Sequence, residues 1–364
     1  MSDRRSSDMT RRQALEIMTT AAVGAVVPSS SFAQTRAFTK GAVIRTLLND
    51  YAPEDLAGGA TLFHEHMSLA TDFNDRFRAA AAAVRAAQGL PPVAGRGGGP
   101  PAAPPGPDPM RDVELMAEEL RTAKRDGVAC IVDGGHPDMG RDLAFVRQAS
   151  MKSGVPVVAG CGFYSQPFYP KDISTMSEDR IVQALIKQAD DETAGAFGEI
   201  GSWDEMTIDE RKVFRAIGKA HGATNLPIFT HTGIPGKAAI EQLNILEDAG
   251  VNPNRVAIGH LGNLVDANVY VHKTICRRGA FVAFDRQGGN GDAQQVPMVM
   301  ALIEAGFADR LLFSSDASRG YSRTLTVFVP KLKAAGINDD VLHTIMVDNP
   351  RRFLAFVPKR PRKR

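Results

Sequence analysis

Short apolar, β-branched runs recur along this chain, and each closes on an acid, an imidazole or a glycine: at Asp133, Gly160, Glu199, His231, His260, Asp285 and Asp316. Successive ends lie 25 to 39 residues apart. Parallel strands need a helical crossover, and one strand-helix-strand unit takes about 30 residues or more. Each interval therefore has room for one strand and one returning helix. With the run that ends at His66 there are eight such strands. Eight parallel strands alternating with helices close into an α/β fold of the (β/α)8 or TIM-barrel type, and 364 residues exceed the roughly 250 that such a barrel needs.

In that fold the active site lies where the strands end. Side chains alternate along a strand, so His64 and His66 of Thr61-Leu-Phe-His-Glu-His66 point the same way and can bind one metal ion. Glu199, His231, His260 and Asp316 occupy later strand ends, so six side chains of metal-ligand type should converge on one mouth. Ordinary buried polar residues would not gather there, and the pattern points to a hydrolase with two metal ions. His221 and His343 fall in segments read as helices and are expected to serve packing or surface roles. His136, after the second strand, reaches the same face but matches no ligand position.

The stretches between strands carry helix signals. Asp112 to Lys124 has apolar residues at helical spacing and stops before Gly127; Thr207-Ile-Asp-Glu210 has the capping-box form; Asn338 opens a helix that Asn349-Pro350 should bring towards its end. Between Gly89 and Pro109, 14 of 21 residues are Gly or Pro, which predicts a loop without helix or strand. It follows the first strand and so belongs to the ligand-bearing face, as a lid or as a tolerated insertion.

The ends of the chain speak of transport. Paired arginines in Thr10-Arg-Arg-Gln-Ala-Leu15, a weakly apolar stretch from Ile17 to Val27 and small residues at Ser31-Phe-Ala33 resemble a bacterial twin-arginine signal. Residues 1–33 are then a signal peptide read by the twin-arginine export machinery, residues 34–358 the hydrolase barrel and residues 359–364 a basic tail, with the mature protein in the periplasm. No apolar run reaches the about 20 residues that a membrane-spanning helix requires. A net charge of +2, with much of the basic excess at the two ends, offers no face for nucleic acid. Three cysteines, none in C-x-x-C spacing, do not form a disulfide framework, and Cys130 reads as a buried small hydrophobe.

Thr61–His66, Gly160-Cys-Gly-Phe-Tyr164, Gly198-Glu-Ile-Gly201, Phe229-Thr-His-Thr232, Ile258-Gly-His260 and Ser314-Ser-Asp316 together resemble the phosphotriesterase family of the amidohydrolase superfamily. Asp348-Asn-Pro-Arg-Arg352 is similar to that family's closing motif, and the likeness runs from about residue 40 to 358. The resemblance implies a binuclear centre in which His64, His66 and Asp316 hold one ion and His231 and His260 the other. Well-known members bridge the ions with a carboxylated lysine. Here Glu199 stands at that strand position and Lys187 is too far upstream, which is similar to the branch that bridges with glutamate. Zinc suits the nitrogen-rich donors, and manganese or cobalt would be accepted.

The resemblance further implies that a hydroxide shared by the two cations attacks an ester, lactone or phosphotriester, with Asp316 accepting the proton. Phe284-Asp-Arg-Gln287 is similar to the Asp-Arg pair of lactonase members; it would place Arg286 beside the leaving group, with Tyr164 and Trp203 as further substrate contacts. Arg286 could equally serve a structural salt bridge to Asp285 or Asp292, and Trp203 the core. Two other classes stay open: a phosphodiesterase or deoxyribonuclease of the same superfamily, disfavoured by the lack of basic surface, and a non-catalytic binding protein, disfavoured by the presence of all six ligands. Barrels of this kind often form homodimers, but the sequence assigns no interface.

Overall fold

A computed structural model describes residues 37–87, 89 and 106–362. The expected signal peptide, residues 90–105 of the Gly/Pro-rich segment and residues 363 and 364 of the basic tail lie outside the described residues.

Eight parallel strands follow one another around the barrel in chain order. They are β1 (Ala60–Glu65), β2 (Val128–Asp133), β3 (Val157–Cys161), β4 (Ala196–Ser202), β5 (Ile228–Thr232), β6 (Val256–Ile258), β7 (Phe281–Phe284) and β8 (Leu311–Phe313). The interior is filled by large and small side chains from different strands, Phe63, Phe229 and Phe281 beside Ala196, Ala257 and Ala283. Residues on the opposite strand faces, such as Leu62, Ile131 and Val157, join the larger core beneath the helices. The barrel's strands are thus buried on both faces, as parallel strands require.

The seam between β8 and β1 is closed just beyond the strands themselves. The Asp316 N–H donates to the His64 carbonyl at 3.2 Å and the His66 N–H to the Ala317 carbonyl at 2.9 Å. Glu65 strengthens this joint: its carboxylate accepts from Ser314 Oγ at 2.7 Å, Ser315 N at 2.9 Å, Ser315 Oγ at 2.8 Å and Ala317 N at 2.7 Å. Burial pushes the Glu65 carboxyl up to about 7, outweighing these donors. The middle residue of His64-Glu65-His66 therefore holds the barrel together while its neighbours face the mouth.

Helices α1 (Phe73–Ala87) and α2 (Val113–Arg125) lie between β1 and β2. After them come α3 (Leu143–Ser153), α4 (Glu178–Glu192), α5 (Ile208–Thr224), α6 (Ala239–Asp248), α7 (Tyr270–Arg277) and α8 (Asp292–Glu304). Their starts follow the chemistry of the sequence. Asp112 caps α2 by accepting from Glu114 N at 2.8 Å and Leu115 N at 3.2 Å, and Thr207 and Glu210 form the expected capping box at α5. Among the described residues no helix is long and apolar enough to cross a membrane.

Three expectations are corrected. Pro109, assigned to an unstructured loop, begins a short 3-10 turn, Pro109–Arg111, in which the Met110 N–H donates to the Asp108 side chain. Pro350 does not bring its helix to a close: the chain passes from Asp339–His343 through a π turn, Thr344–Asp348, into Asn349–Leu354. A widened turn offers its bonds one residue further on, so a proline without an N–H can start the next helical turn. The same device recurs at Thr324–Phe328, ahead of Pro330. Glu199 does not close its strand but sits inside β4, which continues to Ser202.

Candidate metal centre

At the carboxyl ends of the strands four imidazoles and three carboxylates meet, all of them buried but Asp316, which keeps 15% of its side chain exposed. His64 and His66 rings lie 5.3 Å apart by centroid, so the two do face one way. The β1–β2 register slips between Leu62 and Glu65, and with that irregularity Phe63 and His64, though adjacent, both reach the Phe229 ring, at 6.4 and 5.4 Å. Gly198 carries φ +149, and a Cβ there would stand 2.2 Å from Phe229 Cδ1; only glycine brings the chain past that ring to deliver Glu199. His260 and Asp316 reach the mouth from strand ends in the left-handed region, at φ 60 and 51. Non-glycine residues seldom adopt it, and when they do the site is often a functional one.

Glu199 is the hub. Its Oε1 lies 3.2 Å from His66 Nε2, while Oε2 lies 2.8 Å from His231 Nδ1, 3.3 Å from His260 Nε2 and 3.4 Å from His64 Nε2. Asp316 Oδ1 stands 3.1 Å from His66 Nε2. Behind the ring, Asp285 takes His64 Nδ1 at 3.0 Å on one oxygen and His260 Nδ1 at 2.8 Å on the other. It also accepts the His260 backbone N–H at 2.9 Å. One buried carboxylate thus fixes two imidazoles with their Nε2 atoms turned into the site.

Charge follows from this arrangement. Burial depresses the His66 ring but is outweighed by Asp316 and Glu199, which push it up to about 10. His231 goes the other way, down to about 4, through burial and the neighbouring His260. Against the cost of burial, histidines hold Glu199, Asp285 and Asp316 well below the usual carboxylate range, and Arg286 adds to this at Asp316. The acids are therefore ionised at neutral pH, and protons compete with any cation for the imidazole lone pairs.

The donors fit divalent ions. His64 Nε2 is buried and has no hydrogen-bond partner among the described residues, a state that costs about 1–3 kcal/mol unless some other group meets the lone pair. The ligand atoms of His64, His66 and Asp316 lie within 4.8 Å of one another, as do those of His64, Glu199 and His260. His231 Nδ1 adjoins the second group, 2.8 Å from His260 Nε2. Imidazole nitrogen with carboxylate oxygen is the donor chemistry of zinc sites, and manganese and cobalt accept it too.

The sequence profile of the phosphotriesterase family matches residues 45–354. The chain belongs to that family. Among phosphotriesterase-family relatives, the phosphotriesterase homology protein of Escherichia coli is 32% identical over 66% of this chain and 88% of its own length. A crystal structure of that protein, complexed with phosphate in the active site, superposes with a TM-score of 0.67 and 26% identity over 82% of this chain and 99% of the other. The aryldialkylphosphatase of Saccharolobus solfataricus is 30% identical over 65% of this chain and 84% of its own. The N-acetyltaurine hydrolase of Danio rerio is 27% identical over 68% and 78%. Family and fold together make this a TIM-barrel hydrolase with residues suited to bind metal.

The residues expected at a phosphotriesterase-family site fall as follows. Tyr164 Oη lies 3.1 Å from His231 Nδ1. Arg286 pairs neither with Asp285 nor with Asp292: its Nε donates to Asp316 Oδ2 at 3.0 Å, and its buried Nη1 has no hydrogen-bond partner among the described residues. Trp203 is buried beyond β4, its indole N–H bonded to the Gln166 carbonyl. His136 is buried beside Asp138 and its ring makes no hydrogen bond to the centre. His221 bonds the Leu226 carbonyl from α5, His343 is exposed, and Lys187 sits exposed on α4 paired with Asp191. Two participants escaped the sequence reading. Asp285 is expected from sequence as a strand end and as the neighbour of Arg286 in the Asp-Arg pair, not as the partner of His64 and His260, and Phe77 of α1 is not singled out, because an arginine- and alanine-rich stretch carries no sign of which face meets a site.

Proposed function

We propose that this chain is a binuclear metal-dependent hydrolase that cleaves an ester, lactone or phosphotriester. His64, His66 and Asp316 would hold one ion, His231 and His260 the other, with Glu199 between them. The reading rests chiefly on Glu199, whose two oxygens turn to different histidines, Oε1 to His66 and Oε2 to His231 and His260. A carboxylate so disposed could serve two cations, which supports the glutamate-bridged reading. When bound, divalent ions supply Lewis-acid polarisation of the substrate and make water acidic enough to attack at neutral pH.

The chain's own groups perform the remaining work. Asp316, ionised and held by Arg286, accepts the proton of the attacking water on a carboxylate oxygen. Arg286 Nη1, without a hydrogen-bond partner among the described residues, is a donor suited to the oxygen on which charge develops as the bond breaks, the role expected of a lactonase-type Asp-Arg pair. Burial, together with the nearby carboxylates, raises the Tyr164 phenol well above its usual value, so it remains a donor at neutral pH and can orient substrate beside His231. Residues 1–33 would direct export through the twin-arginine pathway to the periplasm, as a folded protein whose metals were loaded beforehand.

The test is metal analysis of protein purified without added metal, followed by turnover of a lactone, an aryl ester, a phosphotriester, a phosphodiester and N-acetyltaurine. About two ions per chain and hydrolysis of one of the first three are expected. Active protein holding one ion or none would overturn the binuclear centre. Preference for the phosphodiester would transfer the chain to the phosphodiesterase class, and preference for N-acetyltaurine would move the scissile bond from ester to amide.

A further inference from the structure

Helix α1 stands outside the alternation of one strand and one helix, between β1 and α2. It leaves the carboxyl end of β1, the end that carries the ligands. Phe73 is its only buried residue, and Phe77, one turn later, shares that face. Phe73 anchors the helix against Phe168 at 5.2 Å and Tyr164 at 5.7 Å. Phe77 reaches further in. Its ring lies nearly parallel to Trp203 at 5.7 Å and 24°, and its centroid stands 5.9 Å from the His231 ring, nearly perpendicular to it at 77°. Trp203 is only 7% exposed, whereas Phe77 is half-buried, so of the two stacked rings Phe77 keeps the larger free surface.

We propose that Phe77 is a specificity-determining residue: with Trp203 behind it, its ring forms an aromatic wall beside His231 that selects substrates carrying a flat aromatic group on that side. The inference rests on the hydrolase reading above and supplies its substrate class. Aromatic faces and edges attract another ring beyond the area they cover, and apolar pockets of this kind discriminate by about tenfold to two-hundredfold. An aliphatic side chain at position 77 would still anchor the helix by its bulk but would offer no ring.

The single tryptophan of the chain makes the wall observable without turnover, because Trp203 is the sole indole fluorophore and Phe77 lies against it. Full-length protein loaded with zinc is titrated with 4-nitrobenzoate, an aromatic quencher, and with acetate, for the native chain and for Phe77→Leu, each checked for an unchanged melting temperature. Saturable quenching by 4-nitrobenzoate but not by acetate is expected, with a midpoint raised about tenfold in Phe77→Leu. An unchanged midpoint, or no saturable quenching in the native chain, overturns the wall. Where esters are hydrolysed, the ratio of kcat/KM for phenyl acetate over methyl acetate must fall by a similar factor in Phe77→Leu, through KM; an unchanged ratio also overturns it. If no ester is hydrolysed, the ester reading fails alone and the titration still decides the role of Phe77. Should Phe77→Leu not fold, Phe77→Tyr and Phe77→Met are compared: tyrosine should keep the native midpoint and methionine raise it, and equal midpoints overturn the wall.

Discussion

Replacing Asp285 by asparagine changes one oxygen into an amide nitrogen and little in volume, yet it should disable the centre. In the native chain both carboxylate oxygens accept, one from His64 Nδ1 at 3.0 Å and one from His260 Nδ1 at 2.8 Å, with the His260 backbone N–H added at 2.9 Å. Both imidazoles are thereby held as Nδ1–H tautomers with an Nε2 lone pair turned inward. Asparagine has one accepting oxygen. It will stay with His260, where it meets two donors, so the amide NH2 faces His64 Nδ1. Two donors cannot meet there, and His64 relieves the conflict by moving its proton to Nε2, the atom that faces Glu199 at 3.4 Å. The lone pair that would receive a cation is then lost. Outer partners of this kind are worth about tenfold to a hundredfold in metal affinity, or roughly 1.4–2.7 kcal/mol. The upper end is expected because the tautomer itself changes. Competition for zinc against a chromogenic chelator measures this directly, with circular dichroism confirming the fold. Native zinc affinity in folded Asp285→Asn would refute the tautomer argument, even if turnover had fallen.

Three further outcomes follow from the same geometry. Asp316→Asn should lower kcat by at least about a hundredfold, the usual range for loss of a general base; a variant that keeps both ions and most of its rate excludes Asp316 as proton acceptor. A Cβ on Gly134 would lie 3.0 Å from His64 Nε2 and 3.3 Å from His66 Cε1, so Gly134→Ala should cut zinc affinity about tenfold, whereas Gly135→Ala, which meets Arg141 and the Ser68 carbonyl instead, should not; equal effects would dismiss the contact. Burial moves the Glu210 carboxyl from 4.5 up to about 7, so the folded chain holds a proton that the unfolded chain has released. Its contribution is complete below about 4.5 and is lost as pH rises through about 7, on the order of 3 kcal/mol. Urea unfolding between pH 5 and pH 8 should show a flatter decline in Glu210→Gln than in the native chain, and parallel curves would contradict the assignment.

The barrel was legible because its signals are local. Each apolar run, such as Val128–Asp133, advertises a strand, and the intervals leave room for one helix. The convergence of His64, His66, Glu199, His231, His260 and Asp316 on one mouth was legible for the same reason, since the closed ring brings strand ends together whatever the loops do. What stayed hidden depends on the far side of a contact. The bond of Asp285 to two imidazoles, the pairing of Arg286 with Asp316 and the reach of Phe77 to Trp203 each join distant segments, and nothing in a single segment names its partner. Pro350 misled because the stop rule for proline assumes an α turn before it, and this chain supplies a π turn.

The seam at Glu65 also imposes an order in time. The residues it joins stand 250 positions apart, so the joint closes a very long loop and needs strands from both ends of the chain in place. His64 and His66 come early in the chain, but Asp316 cannot meet them until β8 has closed on β1. A chain stopped short of β8 would lack Asp316, although Glu199, His231 and His260 all precede that strand. The group of His64, His66 and Asp316, unlike the one that His64 forms with Glu199 and His260, is in this sense completed only in a chain that reaches β8.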